Sequence, residues 1–215
     1  MTVVLDVDWA IAWVRLTAVE VAARRDELVE LDRQIGDGDH GENMDRGFRA
    51  VVARLDALEE PPTTVGEVLR LVATTVMSTV GGAAGALYGT AYLSASRVTA
   101  VPVLDSSGTV GLLEAALDGV VRRGKARVGE KTMVDAWSPA VEAARRAVGR
   151  AGLRPAELLV VAAEAAEAGA VATDPLMATK GRASYLGERS RGHRDPGAVS
   201  SALIVRAAAS AAGVG

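Results

Sequence analysis

Apolar residues along this chain recur at three- and four-residue intervals almost from end to end, the spacing of one helix face. Trp9, Trp13, Leu16, Val19 and Ala23 share one side of a first helix, with Asp8 as its cap and a continuation toward Leu31. Met44, Phe48, Val51, Val52 and Leu55 mark a second, and Pro61-Pro62 breaks the chain after it. Val65, Val68, Leu69, Val72 and Val76 mark a third. A fourth follows Gly81-Gly82 through Leu87, Ala91 and Val98, and a fifth runs from about Val110 to Val121. Ser138-Pro139, Arg154-Pro155 and Asp195-Pro196 read as the starts of a sixth, seventh and eighth, because proline suits the first helical position. Strict alternation, the mark of a strand, is nearly absent, so no sheet is predicted. The expectation is an all-α fold: an eight-helix antiparallel up-and-down bundle or barrel, forming one domain over residues 1–215.

Composition sharpens this picture. Hydrophobic residues make up 49% of the chain but aromatics only 3%, so the apolar mass is Ala, Val and Leu. Ala and Leu favour helices, and small faces let helices approach closely. At 215 residues one domain is the better prior, long enough to bury about 70% of its unfolded surface. A net charge of -3 is too mild to suggest nucleic acid or an anionic membrane as partner. With no cysteine and two histidines, thiolate metal sites and an ordinary structural zinc site are excluded, which leaves metals that take oxygen ligands. The first ten residues carry acids where a signal peptide carries bases, and no apolar run approaches the ~18 residues of a membrane span. A soluble cytoplasmic protein is expected.

The glycines fall in clusters at 36–41, 81–89, 124–129, 181–192 and 197, mostly between predicted helices. Whether these gaps share one end of the bundle is not settled by the sequence. The most distinctive segment runs from Leu31 to Met44. It holds Asp32, Asp37 and Asp39 with glycines between them. Carboxylates converging in a glycine-rich turn repel one another unless a cation sits among them, and Mg²⁺ takes carboxylate, phosphate and water oxygens. A solvated acidic turn capping the next helix is the competing reading. Gly36 to Gly41 fits G-x-G-x-x-G literally, but a helix precedes it and the loop is anionic, so a dinucleotide fold is rejected. Position 12 counted from Asp37 is Phe48 rather than Glu, so an EF-hand is rejected too.

Three further segments complement the acids. Val80 to Thr90 places glycines at a helix start, where bare N–H groups and the helix dipole favour an anion; close helix packing is the alternative. Gly129-Glu130-Lys131-Thr132 hints at a P-loop, but Glu130 stands where glycine is needed, leaving Thr132 or Asp135 as a helix cap. Lys180 to Gly197 holds five cations and ends at a helix start, which suits polyphosphate, although a charge run is also what a solvated loop looks like. A nucleotide with Mg²⁺ needs both the acidic and the basic loop.

The strings IGDGDHGENM, GGAAGALYGT, GEKTMVDAWSP and KGRASYLGERSRGHRDPGA, in this order and spacing, resemble the nucleotide-binding L subunit of dihydroxyacetone kinases over essentially the whole chain. The resemblance implies a barrel of eight antiparallel helices with the nucleotide at one end. It implies that Asp32, Asp37 and Asp39 hold two Mg²⁺ ions on the phosphates of ADP or ATP, and that His40, Gly41, Glu42 and Asn43 line the nucleotide site. Ala83 and Ala84 would offer backbone N–H groups, Gly124 and Met133 would border the base, and Asp195, Pro196 and Gly197 would close the site. Arg182 would stabilise phosphate charge, and His40 would be a phosphate contact rather than a general base. The family pattern carries Ser where this chain has Ala84, which keeps the backbone donor and removes a side-chain one.

No sugar pocket is evident, and in the family the ketose sits on a separate K subunit. The stand-alone length resembles the phosphotransferase-system type, in which ADP stays bound and an M subunit rephosphorylates it. The chain is then expected to be a kinase subunit active only with its partners, with a homodimer as a further possibility. The alternatives are an ATP-exchanging subunit for another small ketose or tetrose, and a nucleotide-sensing module without chemistry of its own.

Overall fold

A computed structural model describes residues 4–148 and 153–213. Among them nine α-helices follow one another: α1 (Val7–Ala23), α2 (Arg25–Ile35), α3 (His40–Asp56), α4 (Val65–Thr79), α5 (Gly82–Val98), α6 (Ser106–Gly124), α7 (Val134–Val148), α8 (Pro155–Ala172) and α9 (Pro196–Ala211). A 3-10 segment, Arg182–Ser190, precedes α9. The predicted absence of sheet holds except for Leu5–Asp6 (β1), which pairs antiparallel with Val103–Leu104 (β2).

Side-by-side contacts run α1, α3, α4, α5, α6, α7, α8, α9 and back to α1, so eight helices close a ring. Mostly short connections between neighbours, the one before α9 excepted, make successive helices alternate in direction. The ninth helix, α2, packs on α3 and α9. The sequence reading merged α2 with α1, because no Gly or Pro marks the break. The chain turns at Arg24 (φ -106°, ψ 16°), while helical bonds continue on both sides, Arg24 N–H to Glu20 O at 3.0 Å and Leu28 N–H to Arg24 O at 3.0 Å.

Two other expected boundaries move. Asp6, not Asp8, caps α1, its carboxylate accepting the Trp9 N–H at 3.0 Å, and Asp8 lies in the first turn. Pro139 does not open α7 but lies inside it, the helix starting at Val134. Proline has no N–H, so the Asp135 carbonyl loses its helical donor there. Gly169 of α8 presses on that spot: a Cβ on Gly169 would lie 2.2 Å from the Asp135 carbonyl oxygen and 2.7 Å from the Pro139 ring. Pro155 and Pro196 do open α8 and α9, as expected.

The few aromatic residues seal the α1 side of the ring. Trp9 and Trp13 stack at 5.3 Å, and their ring N–H groups donate to the carbonyls of Ala208 (3.0 Å) and Ile204 (2.8 Å) on α9. α9 is buried on nearly every face and built largely of Ala, Ser and Val, so its neighbours approach closely. Among the described residues no helix is long and apolar enough to cross a membrane. The connections α2–α3, α4–α5, α6–α7 and α8–α9 are every second one. In an alternating ring they meet at one end, which is where the glycine clusters come together.

Candidate functional site

At that end α2 runs into a loop whose geometry is set by one carboxylate. Gly38 adopts φ +76°, a turn that glycine makes without strain. The Asp32 side chain then accepts the N–H groups of Asp39 (2.9 Å) and His40 (3.2 Å), satisfying the start of α3. Asp39, at the cap position itself, makes no such bond. Asp37 and Asp39 are therefore free to face Asp32, and the three carboxylates place oxygens within 4.8 Å of one another. Three like charges in that space repel, and a hard divalent cation taking oxygen ligands relieves them.

The acids form one end of a cleft of about 570 Å³. Beside the start of α3, where a Cβ on Gly81 would lie 2.9 Å from the Asn43 side chain, α5 begins at Gly82 (φ +63°), with no side chain capping its first turn. A Cβ on Gly82 would meet nothing within 4 Å, so the approach to the bare N–H groups of Ala83 and Ala84 is open. Leu87, Val120, Ala126 and Met133 supply an apolar wall. From the 3-10 segment Arg182 reaches back to Asp37, Nη2 to Oδ2 at 3.2 Å. An apolar wall at one end, with acids, bare amides and a cation at the other, is complementary to a purine, its phosphates and a divalent ion.

Beneath the floor a buried hydrogen-bond chain ties the site to the ring. His40 Nε2 meets Ser200 Oγ at 2.8 Å, and Ser200 Oγ meets the Tyr88 hydroxyl at 2.6 Å. Tyr88 also meets Ser201 Oγ at 3.0 Å and donates to the Gly197 carbonyl at 3.2 Å. Burial pulls the His40 pKa below its ordinary value against the pull of Asp32 and Asp39, which favours the neutral ring. Burial holds the Tyr88 hydroxyl well above its ordinary range, so it stays a donor. Asp195 caps α9 through the Ala198 N–H at 2.7 Å. Burial, with added repulsion from Asp135 and Asp32, pushes its pKa up to about 7, against the Ala198 bond and Lys131.

Of the sequence-predicted residues, Asp32, Asp37, Asp39, His40, Asn43, Ala83, Ala84, Gly124, Met133, Arg182, Asp195, Pro196 and Gly197 all line this cleft. Gly41 and Glu42 do not. A Cβ on Gly41 would fall 2.2 Å from the Arg25 carbonyl oxygen, and the Glu42 carboxylate pairs with Arg25 at 3.3 Å. Both serve the contact of α3 with α2. Sequence reasoning gave no role to Tyr88, which it quoted only within GGAAGALYGT, or to Ser200 and Ser201, which carry no motif. It also missed Lys131, which it weighed only as part of a failed P-loop. Asp135 does act near a helix start: it accepts the N–H groups of Gly129 (2.5 Å) and Thr132 (2.8 Å) and so shapes the loop before α7.

A family model described as the DAK2 domain matches residues 34–210. The ADP-binding subunit DhaL of PEP-dependent dihydroxyacetone kinase 1 from Listeria innocua is 43% identical over 202 residues, spanning 94% of this chain and 95% of that protein. The ADP-binding subunit DhaL of the PEP-dependent dihydroxyacetone kinase of Escherichia coli K12 is 44% identical over 186 residues, spanning 86% and 87%. The crystal structure of the dihydroxyacetone kinase from C. freundii in complex with AMP-PNP and Mg²⁺ superposes with a TM-score of 0.68 over 94% of this chain and 33% of its own. At 23% identity that likeness speaks to the fold. A match over most of the chain, with near full-length similarity to two DhaL subunits, makes this protein a member of the DAK2-domain family.

Proposed function

We propose that this chain is the ADP-binding L subunit of a phosphotransferase-system-dependent dihydroxyacetone kinase, acting in the cytoplasm on a ketose held by a K subunit and recharged by an M subunit. The observation that carries this reading is the convergence of Asp32, Asp37 and Asp39 within 4.8 Å, in the same cleft as the bare start of α5. The relatives named above support the choice of nucleotide and reaction, since both are ADP-binding subunits of dihydroxyacetone kinases.

Phosphoryl transfer demands positioning and charge neutralisation more than covalent help from the protein. The three aspartates would hold Mg²⁺, two ions in this reading, and the metal supplies neutralisation of the phosphate oxygens when bound. Backbone N–H groups of Ala83 and Ala84 receive phosphate oxygens, and Arg182 adds a positive charge as the phosphoryl group moves to a ketose hydroxyl. Met133 and Gly124 border the base, while Asn43, His40 and the Asp195–Gly197 turn complete the walls. His40, neutral and engaged by Ser200, orients rather than exchanges protons. With Ala84 in the first turn of α5, the phosphates meet amide donors there and no hydroxyl.

Native mass spectrometry of the freshly purified chain tests this reading. Co-purified ADP with Mg²⁺, and ketose phosphorylation on adding K and M subunits, are expected. A nucleotide-free protein that remains inactive with both subunits overturns it.

A further inference from the structure

Lys131 is the least exposed charged residue among the described residues, at 1%. Its backbone adopts φ +61°, a left-handed conformation that residues with side chains avoid unless something holds them there. Its ammonium is what is held. Nζ donates to the carbonyls of Thr173 (2.6 Å), Asp174 (3.4 Å) and His193. An ammonium has three N–H donors, and three carbonyls take them all; a neutral amine would leave one unserved. Burial lowers the Lys131 pKa, and the Asp195, Asp174 and Asp135 carboxylates nearby oppose that. Although Lys131 borders the cleft, it has no donor left to offer a phosphate, which separates it from a P-loop lysine.

The three carbonyls lie at the two ends of one connection, residues 173–195 between α8 and α9. Other bonds close the same neck. Gly192 N–H donates to Asp174 O at 2.8 Å, Asp195 N–H to Thr173 Oγ1 at 3.0 Å, and Arg194 grips the Asp174 carboxylate at 3.0 and 2.8 Å. The connection carries Arg182 at its middle and delivers Asp195 at its end. Lys131 belongs to a different connection, the one that carries Met133 two residues on. The Lys131 ammonium, with the Thr179 N–H to Glu130 O bond at 3.3 Å beside it, therefore joins the loop with the apolar wall to the loop with the cation.

We propose that Lys131 is a positioning residue for the nucleotide, an ammonium clamp that sets the separation of Met133 from Arg182 and the Asp195–Gly197 turn. This rests on the cleft being the nucleotide site. Losing the clamp lets two walls drift without removing any group that touches ligand, and small misplacements of that kind weaken binding by ~10- to 100-fold.

The test is calorimetric titration of Mg-ADP into the full chain, nucleotide removed, well below the melting temperature of each variant. Wild type should bind, Lys131→Met should bind at least about tenfold more weakly, and Lys131→Ala should regain most of its affinity with propylammonium, which replaces the missing side-chain atoms. A stable variant with unchanged affinity overturns the clamp. So does a loss that propylammonium leaves untouched, because a general loosening would behave that way. Failure of wild type to bind instead overturns the nucleotide reading. Should the variants not fold, the ¹⁵N NMR signal of the Lys131 ammonium in wild type decides: slow proton exchange supports the clamp and ordinary fast exchange contradicts it.

Discussion

The Arg182 guanidinium lies 3.2 Å from a carboxylate oxygen of Asp37, closing the acidic end of the cleft with a cation from the connection before α9. Their side chains are 71% and 36% exposed, so the pair adds at most about 1 kcal/mol. Such a contact is easily given up when a metal and phosphates arrive. Arg182→Ala should therefore change stability by less than about 0.5 kcal/mol. Loss of a cation aimed at developing charge should slow ketose phosphorylation by the assembled enzyme by ~100-fold. Thermal melts and steady-state rates together check both halves.

Asp32 and Asp37 look equivalent in sequence and are not equivalent in the fold. Asp32 accepts two backbone N–H groups at the start of α3, whereas Asp37 meets only the exposed Arg182. Asp32→Ala should destabilise the metal-free protein by about 1 kcal/mol, the usual worth of a cap. Asp37→Ala should stay helical, with stability within about 0.5 kcal/mol of wild type, yet lose Mg-ADP binding. Urea melts separate the pair, and unchanged Mg-ADP affinity in Asp37→Ala would count against the metal assignment.

Gly41 sets how closely α3 approaches α2. An added Cβ would lie 2.2 Å from the Arg25 carbonyl oxygen, and backbone must move to admit it. Gly41→Ala should cost about 1–3 kcal/mol, the range for overpacking. Gly82→Ala has nothing within 4 Å to strike and pays only for φ +63°, about 1–2 kcal/mol. Equal losses with equal nucleotide affinity would contradict the distinction, since Gly82 opens the phosphate side and Gly41 does not line the cleft.

Asp195 gives the nucleotide-free protein a pH signature. Burial raises its folded pKa from an ordinary 3.8 to about 7. Between those values the folded chain keeps a proton that the unfolded chain has released. Stability from this group is thus complete below about pH 4 and declines as pH rises toward 7, at up to ~1.4 kcal/mol per pH unit. Asp195→Asn, which preserves an acceptor for the Ala198 N–H, should remove that slope. Urea midpoints of both proteins from pH 4 to 8 check it, and parallel curves would contradict it.

Much of this was legible because helices announce themselves by period and punctuation. Pro155 and Pro196 open helices, and Asp37 and Asp39 in the loop converge on Asp32 at the end of α2 around a turn where Gly38 supplies a positive φ. The break at Arg24 left no trace, since it needs one residue's ψ and no special side chain. Pro139 misled because its effect is tolerated from across the interface by Gly169, which no local pattern reveals. Lys131 was invisible for a related reason. Its partners are carbonyls of Thr173, Asp174 and His193, and a backbone acceptor has no sequence identity.

The central claim is that a divalent cation and a polyphosphate together occupy the space among Asp32, Asp37 and Asp39. Titrating ADP into the nucleotide-stripped chain in Mg²⁺, and again in EDTA, tests it most directly. Saturable binding in Mg²⁺ and none in EDTA is predicted. Equal affinity in the two buffers, or no binding in either, would contradict it.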